Sequence, residues 1–246
     1  MRVAVVTGAS SGIGAALCGE LRARGRHVVG LSRRPAPEAD EHEECDVADR
    51  ASVEAAAARV LERHPELHLL VNNAGIPARG DFLETPSEVI EGVMRTNYLG
   101  SVWCLRAFLP GLGEGATVVN VVSVAGVVAV GPYSASKHAQ LAFSRSLTAE
   151  LRPRGIHVLS VLPGFVETPG FPQRGRFPFP LSALVVRPAL VATRTVDAVE
   201  RRRHEIYVPR WYRPAAWLQA LTPPLIARRP AMRGSGRSRS GKQARS

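Results

Sequence analysis

Short apolar runs alternate with longer mixed segments along this chain. Residues 2–7, 27–31, 67–72, 116–122 and 157–162 are short and rich in Val or Leu, the pattern of strands buried on both faces. Between them, 14–25, 52–63, 87–108 and 133–152 have the length and composition of helices. Strands separated by helices imply βαβ units. The pattern therefore predicts one α/β domain, a doubly wound parallel sheet with helices on both faces. Residues 206–208 offer a late strand, and no repeat or linker interrupts the chain before about residue 228.

Composition narrows the class. A chain of 246 residues with 45% hydrophobic content can bury one substantial core. No apolar run approaches the ~20 residues that span a bilayer. The first residues enter a strand at once, so a cytoplasmic protein without a signal peptide is expected. Cys18, Cys45 and Cys104 are scattered, and the seven histidines show no paired ligand spacing. Reduced thiols and no metal site are expected. The net charge of +11 is uneven: residues 228–246 hold seven basic residues and no acidic one. They read as a basic, disordered tail.

Candidate chemistry begins with lysine usage. Of 32 basic residues only Lys137 and Lys242 are lysines. Lys137 follows Tyr133 by four positions, so on a helix the two share a face. An ammonium is a compact point charge, unlike the broad guanidinium used elsewhere in the chain. A unit charge ~4 Å from a phenol, at an effective dielectric of ~20, is worth at most about 4 kcal/mol. The spacing thus predicts a tyrosine pKa lowered toward neutrality.

The first strand runs into Gly8-Ala9-Ser10-Ser11-Gly12-Ile13-Gly14 and then a helix. Glycines there let the backbone approach a pyrophosphate at the helix N-terminus. The second strand ends in Ser32-Arg33-Arg34 with no acid to hold ribose hydroxyls. Arginine can pair a 2′-phosphate, so NADP(H) is expected over NAD(H).

Taken with Asn72-Asn73-Ala74-Gly75, Asn97, Ser123, Tyr133 with Lys137, and Pro163-Gly164 before Thr168, the chain resembles the short-chain dehydrogenase/reductase family over about 210 residues. The resemblance implies a Rossmann-type fold and an oxidoreductase acting on a carbonyl/alcohol pair. Tyr133 would be the general acid/base, Lys137 would lower its pKa and hold the nicotinamide ribose, and Ser123 would bind the substrate oxygen. Asn97 would hold a water that relays protons through Lys137. Asp46-Val47 would contact adenine, and Asn73, Ala74 and Gly75 would line the adenine ribose side. Val166 and Thr168, after Pro163 and Gly164, would bind the nicotinamide amide. Asn72 would be structural. Family analogues assemble as homodimers or homotetramers, which is the expectation here.

On the substrate side, Phe165, Phe171, Phe177 and Phe179 are followed by Leu181, Leu184 and Val185. An apolar lid suits a lipid, steroid, retinoid or aryl ketone. The expected organisation is a domain over 1–210, an aromatic and apolar extension over 211–227 and the tail over 228–246. Trp211, Tyr212, Trp217 and Leu218 among arginines leave open peripheral membrane contact or packing on the body. No motif for reading nucleic acid accompanies the basic tail. A non-catalytic NADP(H)-binding regulator or scaffold is the rival reading.

Overall fold

The structure is a computed structural model that describes residues 1–127, 131–169 and 185–221, apart from the side chains of residues 215, 219 and 220. Its centre is a seven-stranded, all-parallel sheet in the order β3-β2-β1-β4-β5-β6-β7. The strands are β1 (Val3–Thr7), β2 (His27–Ser32), β3 (Glu41–Glu44), β4 (Leu67–Asn72), β5 (Leu112–Val121), β6 (His157–Pro163) and β7 (Glu205–Val208). The helices are α1 (Gly12–Ala23), α2 (Arg50–Arg63), α3 (Ser87–Met94), α4 (Gly100–Phe108), α5 (Gly131–Glu150), α6 (Pro188–Glu200) and α7 (Tyr212–Leu221). This is the Rossmann-type doubly wound arrangement.

Alternation along the strands builds both layers. Val3 and Val5 of β1 join Val29, Leu70, Phe108, Leu147 and Val158 on the face covered by α2, α4 and α5. Ala4 and Val6 point the other way, to Leu17, Leu21, Val71, Leu159 and Val196 under α1 and α6. Successive residues of a strand face opposite sides, so a Val-rich run fills two cores at once. The order reverses between β1 and β4, which opens a crevice at the carboxyl ends of these strands, where ligands bind in such sheets.

Three elements depart from the pattern reading. The edge strand β3 has the sequence Glu-His-Glu-Glu and no apolar signal. Its backbone pairs with β2 from Val29↔Glu41 to Ser32↔Glu44, while Arg59 and Arg63 of α2 bind Glu43 at 2.6 and 3.0 Å. Charged edges of this kind discourage pairing with another chain. The helix expected over 87–108 is divided by a single π-helical turn at Arg95–Leu99. Such turns concentrate at functional sites, and this one carries Asn97. Finally, α6 and α7 follow the last expected helix; the expected late strand is β7.

Phe171, Phe177, Phe179, Leu181, Leu184 and the 228–246 tail lie outside the described residues.

Candidate active site

The crevice is a cleft of about 910 Å³. From the glycine loop, Gly8, Ser10, Ser11, Gly12 and Ile13 line it; from the end of β2, Ser32, Arg33 and Arg34; beyond β3, Asp46 and Val47. Asn73, Ala74 and Gly75 after β4, Ser123 after β5, Tyr133 and Lys137 on α5, and Pro163, Gly164, Val166 and Thr168 after β6 complete the wall. Residues far apart in sequence meet because parallel strands deliver all their carboxyl ends to one edge. Of the expected site residues, Gly14 and Asn97 do not line the cleft.

Gly14 acts from behind. A Cβ there would collide with Gly8 O and come within 2.6 Å of Asn73 Nδ2, so glycine lets α1 start directly against the β1 loop. Asn73 Nδ2 donates to Thr7 O at 2.9 Å, and Thr7 Oγ1 accepts from the backbone N–H groups of Asn73 and Ala74 at 2.9 and 3.0 Å. These bonds bind the ends of β1 and β4 together. Ser11, at the N-cap of α1, makes no side-chain cap bond. The α1 N-terminus therefore faces the cleft with backbone donors suited to a pyrophosphate.

At the end of β2, Ser32 Oγ donates to Arg34 O at 2.7 Å and shapes the turn. Arg33 Nη1 lies 3.7 Å from Asp46 Oδ2, with both side chains exposed. Asp46 Oδ1 also accepts from Ala48 N at 2.9 Å. No acid stands at the end of β2 itself; the fold supplies one opposite Arg33 from the segment after β3. Asn72 is buried in the sheet, its Nδ2 donating to Asn120 Oδ1 at 2.9 Å.

At the reacting end, the Ser123 hydroxyl accepts from Ala125 N at 3.1 Å, which caps a short 3-10 turn. The same hydroxyl hydrogen-bonds the phenol of Tyr133. Burial holds the Tyr133 pKa above its ordinary value, and the Ser123 bond offsets part of that rise. The spacing to Lys137 had predicted a lowered value. The sign reverses because burial desolvates the phenol itself; the amine is desolvated too, which pushes its pKa down to about 7. Two of its donors also go elsewhere, to Val121 O at 3.0 Å and Gln140 Oε1 at 2.8 Å.

Asn97 is fully buried and its side chain is engaged. Oδ1 accepts from Ile76 N at 2.8 Å; Nδ2 donates to Ile76 O at 3.1 Å and to Ser136 Oγ at 2.9 Å. It pins the 73–76 segment to α5 beside Tyr133 and Lys137. Its backbone carbonyl accepts from Ser101 Oγ at 3.3 Å.

Sequence reasoning missed two groups. Gln140 and Ser101 lie behind Lys137, and neither carries a motif. Trp211, Tyr212 and Leu218 line the cleft; the sequence had left open packing on the body without placing them at the site. Tyr212 packs with Val122, Val124, Leu141, Leu162 and Ala216. A Cβ on Gly164 would collide with the Tyr212 ring, so this glycine lets the aromatic close over the strand end. The clustering of two of the three tryptophans just past β7 was the available signal.

The sequence profile described as short chain dehydrogenase matches residues 2–176. A protein assigned as the ketoacyl reductase of the monensin polyketide synthase in Streptomyces virginiae is 41% identical over 191 residues, covering 68% of this chain and 72% of that protein. Dehydrogenase/reductase SDR family member 7B of Danio rerio is 36% identical over 191 residues, covering 68% of this chain and 62% of that protein. Among solved structures, a short chain dehydrogenase/reductase from Burkholderia phymatum in complex with NAD superposes with TM-score 0.80 at 28% identity, over 91% of this chain and 94% of that one. A short chain dehydrogenase from Burkholderia cenocepacia in complex with NADP gives TM-score 0.74 at 30% identity, over 84% and 95%. With the profile matched along most of its length and the glycine loop, Ser123, Tyr133 and Lys137 gathered on one cleft, the chain belongs to the short-chain dehydrogenase family, oxidoreductases that bind NAD or NADP.

Proposed function

We propose that this protein reduces an apolar carbonyl compound with NADPH. The observation that carries the reading is the convergence of Ser123, Tyr133 and Lys137 at one end of a cleft whose other end is a glycine cradle at the α1 N-terminus. The Gly8–Gly14 close approach and the backbone donors there fit a dinucleotide pyrophosphate. The bound nicotinamide would supply the hydride; the chain's own residues orient and deliver a proton. Tyr133, with its pKa raised by burial, keeps its proton at neutral pH and is suited to give it to the substrate oxygen. Ser123 holds that oxygen against the phenol.

Arg33 and Arg34 support NADP(H), since either guanidinium can pair a 2′-phosphate that Asp46 alone would repel. Phe165, Val124, Trp211 and Leu218 at the reacting end support an apolar substrate, and the ketoacyl reductase name of the Streptomyces virginiae relative supports a carbonyl. Among the described residues no helix is long and apolar enough to cross a membrane. Peripheral membrane contact through α7 is a subordinate proposal, resting on exposed Trp217, Leu218 and Leu221 and on Arg213 stacked over the Trp217 ring at 4.6 Å.

The test is to mix the protein with NADPH or NADH and hydrophobic ketones, β-ketoacyl thioesters and sugars, following loss of reduced-nicotinamide absorbance. Turnover of an apolar ketone or thioester, faster with NADPH, is expected. NADPH binding with no turnover of any substrate would instead favour a non-catalytic nucleotide sensor.

A further inference from the structure

Lys137 is almost fully buried, and among the described residues no carboxylate pairs with it. An unpaired buried ammonium is costly, and such a group tends to shed its proton. Its polar surroundings are Val121 O at 3.0 Å, Gln140 Oε1 at 2.8 Å and the space in front of Gly75, where a Cβ would lie 3.6 Å from Nζ. The titratable neighbours on its own helix are Tyr133 and His138, whose ring bonds Ser134 O at 3.2 Å, and the segments 73–76 and 121–123 bring only neutral groups. On the π-helical turn, Thr96 and Asn97 are neutral, Arg95 is exposed, and the Tyr98 ring packs edge-on against Phe143.

Gln140 is itself completely buried, one helical turn beyond Lys137. Both ends of its carboxamide are committed. Oε1 accepts from Lys137 Nζ, while Nε2 donates to Ser101 Oγ at 2.9 Å, and Ser101 donates to the carbonyl of Asn97. Because Nε2 is bound by Ser101, Oε1 is turned toward the amine. A chain of side chains thus runs from Lys137 across to α4 and back to the π-helical turn. Lys137 has three donors; with two anchored, the third is left for the cleft.

We propose that Gln140 is a positioning residue that keeps Lys137 protonated and aimed into the cleft, supplying the oxygen that a carboxylate partner would otherwise provide. The downward push of burial on Lys137 shows why such an acceptor matters at neutral pH. The idea rests on the oxidoreductase reading only where it concerns turnover.

The chain's two lysines make the test direct. In a Lys242→Arg background, isotope-labelled lysine reports Lys137 alone, and its chemical shift is followed against pH by NMR. The Lys137 midpoint should fall by about one unit in Gln140→Leu and rise by at least about one unit in Gln140→Glu. Gln140→Glu keeps the side-chain size, so it remains informative should Gln140→Leu fold poorly. In kinetics, the pH dependence of kcat with NADPH should move in the same order, with KM for the ketone little changed. Coincident midpoints in all three proteins, or rates lowered equally at every pH, would reduce Gln140 to packing and overturn the proposal. A wild type that never turns over but whose midpoints shift as expected would instead remove the oxidoreductase reading and leave Gln140's hold on the charge intact.

Discussion

At the dinucleotide end of the cleft the walls are backbone and small side chains locked by buried hydrogen bonds: Thr7 to Asn73 and Ala74, and Asn97 to Ile76 and Ser136. At the substrate end they are large apolar side chains with much of their surface in solvent, with Phe165 41%, Trp211 47% and Leu218 62% exposed. An added methyl collides at Gly14 behind the first end and at Gly164 under the Tyr212 ring at the second. The difference therefore lies in the exposed apolar side chains in front. Side chains left largely in solvent have few buried contacts to lose when they shift.

Tyr133 stands at the end opposite the glycine cradle, and changing it should have the largest effect. Tyr133→Phe should lower kcat about 10²–10⁴-fold and leave NADPH binding unchanged by fluorescence titration. A rate within a few-fold of wild type would remove the phenol from the chemistry. The next test concerns the buried amine. The unfolded chain keeps Lys137 protonated to its ordinary 10.5, the folded protein only to about 7. Between these values the unfolded state binds more protons, so this group makes stability rise with pH. Urea unfolding from about pH 6 to about pH 9 should therefore show wild type gaining on Lys137→Met by on the order of a few kcal/mol. A pH-independent gap would mean that Lys137 stays charged throughout.

Gly14→Ala asks how rigid the dinucleotide end is. Forcing a methyl against Gly8 O should cost about 1–3 kcal/mol in thermal unfolding and weaken both nucleotides together. An equally stable variant would show that α1 can shift. Arg33→Ala should weaken NADPH about tenfold, roughly 1.4 kcal/mol, and NADH far less, by equilibrium titration. Equal losses would assign Arg33 to its pair with Asp46. Smallest of all, Leu218→Ala should change KM for a hydrophobic ketone only a few-fold, at ~25 cal/mol for each Å² of apolar surface left uncovered, without altering stability. A loss of stability as large as that of Gly14→Ala would mean that the two ends are built alike.

What could be foreseen follows from how local each feature is. The Val-rich strands announce themselves through composition, as do the glycines before α1 and the four-residue step from Tyr133 to Lys137. In each, the physical cause lies within a few neighbouring residues. The edge strand β3 was hidden because its Glu-His-Glu-Glu sequence is held by backbone pairing with β2 and by arginines of α2. The same distance in sequence concealed the Asp46 carboxylate opposite Arg33.

From the order of residues alone came the apolar strands of the sheet, the family and the candidate side chains for the chemistry, because repeating polarity and short motifs dictate them. Folding in three dimensions decided the rest: that Trp211 and Tyr212 wall the cleft, that Asn97 works from behind it, and that Gln140 meets Lys137. It also decided the sign of the Tyr133 shift. A pKa answers to how much water surrounds a group, and burial is a property of the packed whole that no local spacing encodes.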